Sequence, residues 1–152
     1  MGALKDDARR LDYDAYALGQ VVPTRFTDMD PNRHLNNVAI AQLCEEGRVR
    51  FHWLLRREHA EVGHPHFLVA RVEVDYLAEG HYPHDAEVRT AVGEIGRSSY
   101  RIVQALFQTI RGQRRAFALA DTVMVHRGDD MRPAPMPDVL KTALGAYSLG
   151  GA

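Results

Sequence analysis

Residues 25–37, RFTDMDPNRHLNN, decide how the chain is interpreted, because they join two segments of different character. The preceding residues 20–26 are predicted to form a strand, short or at a sheet edge, since Pro23 cannot donate a backbone hydrogen bond. In the following residues 38–55, apolar positions are separated by 4, 3, 4 and 3 residues, as in an amphipathic helix. Asn36 or Asn37 is expected to cap the first free N–H groups of that helix.

The remainder of the chain predicts an antiparallel sheet. Residues 68–76 and 86–92 alternate apolar and polar side chains, which is the period of a half-buried strand. Residues 99–110 are apolar on both faces, so we expect this strand in the middle of a sheet or under a subunit interface. Residues 116–126 form the last long strand. One long helix can fill one face of such a sheet, which predicts an α+β fold.

The length of 152 residues indicates one domain. We expect residues 1–19 to be a loosely attached lead-in and residues 20–145 to be the single domain. A short helix should follow Pro137 and end near Gly145, leaving residues 146–152 as a C-terminal tail.

Charge and composition argue against several classes of function. The formal net charge is -1, and no basic patch indicates a nucleic-acid partner. No apolar run approaches the roughly 20 residues that a membrane span needs. The single cysteine, Cys44, fits a reducing compartment, and the N-terminus has no apolar signal region, so we expect a cytoplasmic protein. Cys44 lies on the apolar stripe of the helix and is expected to pack rather than to react.

The loop sequence strongly resembles the signature of the 4-hydroxybenzoyl-CoA thioesterase-like and acyl-ACP thioesterase-like hotdog families. Those families carry D-x-D and then H-[VL]-N-N at the start of a central helix. Further matches are EEGR at 45–48, VEVDYL at 72–77, GEIGRSS at 93–99 and PMP at 135–137. The resemblance covers roughly residues 20–142 in the expected order. It implies a hotdog fold, in which an antiparallel β-sheet wraps around a long central α-helix.

Two variants of the family imply different catalytic sets. In the benzoyl-CoA type the second aspartate of D-x-D is the catalytic carboxylate, and this position is Asp30. In the acyl-ACP type the pattern is D-x-N-x-H with a distant glutamate, which matches Asp30, Asn32, His34 and Glu79. Whether Asp30 or Glu79 activates the water stays open. The chain departs from the usual pattern at Arg33, where glycine is common.

Thioester hydrolysis needs an activated water and donors for the negative charge that develops on the carbonyl oxygen. The resemblance places Asp30 as base or nucleophile. The N–H groups near Asn36 and Asn37, at the start of the helix, are expected to bind the substrate. The resemblance also implies that Arg97, Ser98 and Ser99 line the path of the pantetheine arm.

The sequence therefore predicts an acyl-CoA or acyl-ACP thioesterase that needs no metal or organic cofactor. The histidines at positions 59, 64, 66, 81 and 84 do not match a standard zinc spacing. One alternative is a non-catalytic hotdog module that binds acyl-CoA as a sensor, which would be expected to lack the carboxylate of Asp30. Another is a hotdog dehydratase, whose different His/Asp arrangement is not found.

We also expect a homodimer. A single hotdog domain exposes a long sheet edge, and such edges are normally managed by pairing. A homotetramer through the doubly apolar residues 99–110 is the larger assembly that the sequence suggests.

Overall fold

An antiparallel sheet of five strands and one long helix form the body of the computed structural model, which describes residues 2–151. The spatial order of the strands is β1-β3-β4-β5-β2, and all neighbours pair antiparallel. Helix α1 lies on one face of the sheet, which confirms the predicted hotdog architecture. The elements are β1 (Leu18–Val22), α1 (Asn37–Glu58), β2 (His66–Tyr76), β3 (Ala86–Ile95), β4 (Ser99–Ile110), β5 (Gln113–Arg127) and α2 (Asp138–Gly145).

Helix α1 begins where the amide side chain of Asn36 accepts a hydrogen bond from the backbone N–H of Ala39, at 2.7 Å. This contact resolves the choice between Asn36 and Asn37 as the cap. The predicted apolar stripe is buried against the sheet. At Gly47 the helix touches the sheet closely: a Cβ there would lie 2.4 Å from Nε2 of Gln104 and 2.8 Å from Cγ1 of Val88.

Strand β4 has the predicted bounds and lies in the middle of the sheet. The hairpin after it turns through Arg111 and Gly112, whose φ angles are 52° and 75°. Two consecutive positive φ angles are typical of the tight turns that match the twist of a hairpin. Strand β1 is short and at an edge, as expected, but it starts at Leu18 and ends before Pro23.

The expectation that residues 1–19 are loosely attached is wrong for the described part of this segment, and Met1 lies outside the described residues. Tyr16 is 2% exposed and Arg10 is 4% exposed. The Arg10 guanidinium pairs with the carboxylate of Asp121 and donates to the backbone carbonyls of Gln104 and Ala120 at 3.3 and 3.0 Å. The segment packs across the face of the sheet opposite α1, which we call the outer face.

The outer face explains why β4 is apolar on both sides. Val103, Ala105 and Phe107 of β4 form a buried cluster there with Tyr16 and Leu149. The C-terminal tail completes the cover, because Leu149 packs in this cluster. The tail is held at the edge of β3, where Val92 exchanges hydrogen bonds with Tyr147 and Leu149 at 2.7 and 2.9 Å. The face through which residues 99–110 were expected to form a tetramer is therefore covered by the chain's own ends.

A cluster of buried side chains near the start of α1 includes Leu35, Ile40 and Phe117, and a second one towards its end includes Phe51 and Tyr100. None of the helices within residues 2–151 has the length and apolar character needed to cross a membrane.

Candidate functional site

The loop between β1 and α1 is folded around the carboxylate of Asp30. Its Oδ1 accepts from the backbone N–H groups of Asn32 and His34, at 2.9 and 3.1 Å. The Asp30 N–H donates to the carbonyl of His34 at 2.8 Å, and the Asp30 carbonyl accepts from the Arg33 N–H at 2.9 Å. The backbone and Oδ1 of Asp30 thus hold this residue in place. The other carboxylate oxygen, Oδ2, takes part in none of these four hydrogen bonds.

Arg33 has a φ of 65°, in the left-handed region where glycine is the favoured residue. For other L-residues that conformation costs roughly 1–2 kcal/mol. This observation accounts for the glycine that the resembling families usually carry here. The tight turn that lets Asp30 reach the His34 amide requires a positive φ at position 33, whichever residue occupies that position.

His34 and Glu79 are adjacent although they are distant in sequence. Nε2 of His34 lies 3.1 Å from Oε2 of Glu79, and the two side chains are 32% and 61% exposed. The turn after β2 brings them together, because the N–H of Leu35 donates to the carbonyl of Gly80 at 2.8 Å. The two candidate carboxylates of Asp30 and Glu79 therefore flank one histidine.

A buried glutamine holds this turn in place. Gln108 of β4 is 1% exposed. Its side-chain amide donates to the carbonyls of His81 and His84 at 2.8 and 3.0 Å, and its oxygen accepts from the His81 N–H at 2.9 Å. Sequence reasoning missed Gln108, because a polar residue in an otherwise apolar strand signals a function only once its partners are known.

Asp30 opens onto a surface pocket of about 540 Å³. The His81 ring stands edge-on to the His34 ring, with centroids 5.4 Å apart, and Phe26 meets Tyr82 in the same way at 6.0 Å. Sequence reasoning assigned Glu79 to the site but gave no role in it to Phe26 or Tyr82. The pocket is lined by Phe26, Met29, Asp30, Arg33, His81 and Tyr82.

The predicted substrate-binding residues Asn36 and Asn37 and the predicted catalytic residue Asn32 differ in what they contact. The side chain of Asn36 is engaged in capping α1, and its N–H donates to the carbonyl of Asp28 at 2.8 Å. Asn37 is exposed at the first position of the helix, where backbone N–H groups have no partner within the helix. Asn32 is exposed on the loop, and its N–H contacts Asp30.

Arg97, Ser98 and Ser99 do not join this group within one chain. They lie at the bend between β3 and β4, where Ser99 pairs with Val125 of β5. Gln108, which holds the turn beside His34, is at the other end of β4. The strand rise places the two ends about 30 Å apart.

Among residues 2–151, we find neither an activated Cys44 nor a cluster of metal-ligating side chains. Cys44 is buried, and burial raises the pKa of its thiol to about 11, against the opposing effect of Arg48. The thiolate needed for attack is therefore scarce at neutral pH. Across residues 2–151, no group of three or more His, Cys, Asp or Glu side chains is placed to hold a metal ion.

A family model described as the thioesterase-like superfamily matches residues 24–144, which include the loop, α1 and the whole sheet apart from β1. The chain has no significant match among curated proteins.

Solved structures resemble the chain over most of its length. The PA5185 protein of Pseudomonas aeruginosa is 28% identical, with a TM-score of 0.74, over 93% of this chain and 98% of that one. A Thermus thermophilus thioesterase complexed with coenzyme A and Zn is 28% identical, with a TM-score of 0.69, over 85% and 98%. The 4-hydroxybenzoyl-CoA thioesterase of Pseudomonas sp. strain CBS-3 is 14% identical, with a TM-score of 0.70, over 84% and 99%, and shows the shared fold alone.

Proposed function

Because the chain belongs to the thioesterase-like superfamily, we propose that it hydrolyses an acyl-CoA or acyl-ACP thioester to a free acid and a thiol. The observation that carries the proposal is the carboxylate of Asp30, fixed by two backbone N–H groups at a surface pocket, on the loop that leads into α1. The similar Thermus thermophilus structure, a thioesterase complexed with coenzyme A, supports coenzyme A as the carrier.

In this proposal Asp30 is the general base. It removes a proton from a water molecule, whose oxygen attacks the thioester carbonyl carbon. The C–S bond then breaks, and the thiolate leaves and takes up a proton. Oδ1 of Asp30 is held by two backbone N–H groups, so Oδ2 is the oxygen available to the water.

The remaining predicted residues position the reacting groups. The N–H of Asn37, at the positive end of the helix dipole, stabilises the negative charge on the carbonyl oxygen. His34 and Asn32 orient the water or the thioester. Glu79, at 3.1 Å from His34, holds that imidazole and is the second candidate for the base.

Substitution of each carboxylate tests the assignment. Asp30→Asn keeps an oxygen that can accept from the Asn32 and His34 amides but loses the charge, so kcat should fall by about 10²-fold or more while the urea midpoint is retained. Glu79→Gln should reduce kcat by less. Asp28→Asn is the matched control in the same loop and should keep most of the activity.

Thiol release from a panel of acyl-CoA and acyl-ACP substrates is the measurement. Near-normal turnover by Asp30→Asn, with a large loss in Glu79→Gln, would transfer the role of base to Glu79. Tight binding of acyl-CoA without thiol release at any chain length would favour the alternative function, an acyl-CoA sensor.

We also propose a homodimer formed through β2. This strand is at the sheet edge, and Leu68, Val69, Val72 and Tyr76 are 46%, 42%, 47% and 53% exposed on it. In a twofold-symmetric dimer, β2 pairs antiparallel with β2 of the other subunit. The start of β2 in one subunit then lies beside the end of β2 in the other. The bend at residues 97–99 of one subunit then approaches the loop of the other, as a pantetheine path shared between subunits requires. A monomer in light scattering at micromolar concentration contradicts this arrangement.

A further inference from the structure

The turn after β2 carries His81, which lines the same pocket as Asp30 although the two residues belong to different parts of the chain. His34 is not among the residues that line this pocket, and its Nε2 is engaged with Oε2 of Glu79 at 3.1 Å. The His81 ring, in contrast, forms no hydrogen bond or ion pair among residues 2–151, where the bonds of His81 come from its backbone. Its ring nitrogens are therefore free to contact a molecule bound in the pocket.

A buried side chain fixes the backbone of His81. The amide oxygen of Gln108 accepts from the His81 N–H at 2.9 Å, and its Nε2 donates to the His81 carbonyl at 2.8 Å. Gln108 is 1% exposed, and burial of an amide is unfavourable unless its polar atoms have partners such as these. The His81 ring also stands edge-on to the His34 ring, with centroids 5.4 Å apart. The imidazole is thus held at the pocket by contacts that leave its nitrogens unoccupied.

Thioester hydrolysis needs a proton donor as well as a base. In the proposed function, Asp30 takes a proton from the attacking water, so another group must protonate the departing sulfur. An alkyl thiolate is a poorer leaving group than the corresponding thiol. Protonation of the sulfur as the C–S bond breaks therefore lowers the barrier.

The other residues that line the pocket are poor proton donors. Phe26 and Met29 have no acidic proton, and a guanidinium, such as that of Arg33, does not lose its proton in proteins. Tyr82 carries a phenol, which is a much weaker acid than an imidazolium. Within this lining, His81 is the side chain suited to give up a proton near neutral pH.

We propose that His81 is the general acid of the reaction and donates a proton to the sulfur of the leaving group. Water gives one proton to Asp30 while its oxygen bonds to the carbonyl carbon. The C–S bond then breaks with its electron pair on sulfur, which takes the proton of the His81 imidazolium and leaves as a free thiol. Asp30 is now protonated and His81 neutral, and transfer of that proton through solvent restores both. This role rests on the proposed function, because it names the proton donor of that hydrolysis.

The acidity of the leaving thiol tests this role. Two esters of one acid are compared, the CoA ester and the 4-nitrothiophenol ester, with the acyl group that the unmodified chain hydrolyses fastest as its CoA ester. His81→Gln cannot transfer a proton, so kcat for the CoA ester should fall by about 10²-fold. The 4-nitrothiophenolate leaves without a proton, so hydrolysis of its ester should change by less than about threefold.

Two further variants sharpen the comparison. His84→Gln is the matched control, since His84 is in the same turn but outside the lining of the Asp30 pocket, and it should keep near-normal rates with both esters. Asp30→Asn should slow both esters, because attack by water needs the base whichever thiol leaves. His81→Asn, with a shorter side chain, should show the same selective loss as His81→Gln, and both should keep the urea midpoint.

Equal losses with the two esters in His81→Gln overturn the inference, because a distorted pocket slows every ester alike. Unchanged hydrolysis of the CoA ester overturns it too. An unmodified chain that releases no thiol from any ester refutes the proposed function itself. An active chain that is insensitive to both His81 substitutions refutes only the assignment of the acid.

Discussion

His52 of α1 is a buried titratable residue that the proposed chemistry does not use. Its Nε2 lies 2.6 Å from the hydroxyl of Tyr100, and its ring stacks on Phe67 with centroids 5.0 Å apart. Burial lowers the pKa of His52 to about 4, with smaller contributions from Arg56 and Arg48, and burial also raises the pKa of Tyr100. His52 is therefore neutral at pH 7 and accepts a hydrogen bond from Tyr100.

This pair should make the protein less stable in mild acid. With an ordinary pKa of 6.5 in the unfolded chain and about 4 in the fold, the unfolded state takes up a proton that the folded state does not. The free energy of unfolding should therefore fall as the pH drops from 6.5 towards 4, by about 2 kcal/mol at pH 5. His52→Gln keeps an acceptor for Tyr100 and should lose less stability between pH 7.5 and pH 5, measured by urea unfolding. Equal losses in both proteins contradict the assignment.

At the same scale, the sequence indicated which residue types the loop would bring together. Asp30, His34 and Glu79 do lie together, because the loop and the turn after β2 meet at the same end of the sheet. The sequence could not indicate whether Asn36 or Asn37 caps α1, since both have the same side chain. Only the backbone conformation selects Asn36. The position of Tyr82 at the pocket was also not predicted, because the sequence of a turn does not show which residues the turn packs against.

At the scale of elements, α1 depends on Gly47. Although alanine favours a helix by about 1 kcal/mol over glycine, a Cβ at this position would overlap Gln104 and Val88. We expect Gly47→Ala to lower the free energy of unfolding by about 1–3 kcal/mol. Gly145, in α2, has no atom within 4 Å of an added Cβ, so Gly145→Ala should be neutral or stabilising. Urea midpoints that fall equally in both variants would show that close contact with the sheet is not the cause.

The bounds of the elements show where a sequence pattern is sufficient. Residues 99–110 were predicted correctly because the strand is apolar on both faces and is followed by a Gly-containing hairpin turn. The predicted bounds of β1 differ from the observed ones, since its short sequence has no clear alternation. Its limits are set by pairing with β3, from Leu18 opposite Thr90 to Val22 opposite Ala86. Such pairing is a long-range property that a local pattern does not contain.

At the scale of the whole molecule, residues 10–16 and 147–150 form part of the packed domain. Tyr13 lies between the guanidinium groups of Arg89 and Arg114, 4.2 and 3.7 Å from its ring centroid, and meets Phe107 edge-on. The N–H of Gly150 donates to the carbonyl of Ala15 at 2.7 Å, so the tail holds the N-terminal segment. The sequence could not reveal this arrangement, because residues 1–19 mix polar and apolar positions without a regular period and their partners are far along the chain.

Replacement of the buried Arg10 should detach the N-terminal segment from the outer face. Arg10→Ala leaves the carboxylate of Asp121, which is 8% exposed, with only the more distant Arg101 at 3.5 Å, among the residues described. We expect the free energy of unfolding to fall by about 3 kcal/mol, and faster proteolysis within residues 2–16. Arg9→Ala is the matched control, because Arg9 is exposed and pairs with Asp7, so it should cost less than about 1 kcal/mol.

Detachment should also promote self-association of the chain. Val103, Ala105 and Phe107 on the outer face would be exposed, and an apolar surface of this kind favours self-association. Light scattering should therefore show a larger mass for Arg10→Ala than for the unmodified chain, and an unchanged mass for Arg9→Ala. If Arg10→Ala keeps the mass and the protease resistance of the unmodified chain, the N-terminal segment does not depend on the Arg10–Asp121 pair. The outer face would then stay covered by other contacts, among them those of Tyr13, Tyr16 and Leu149.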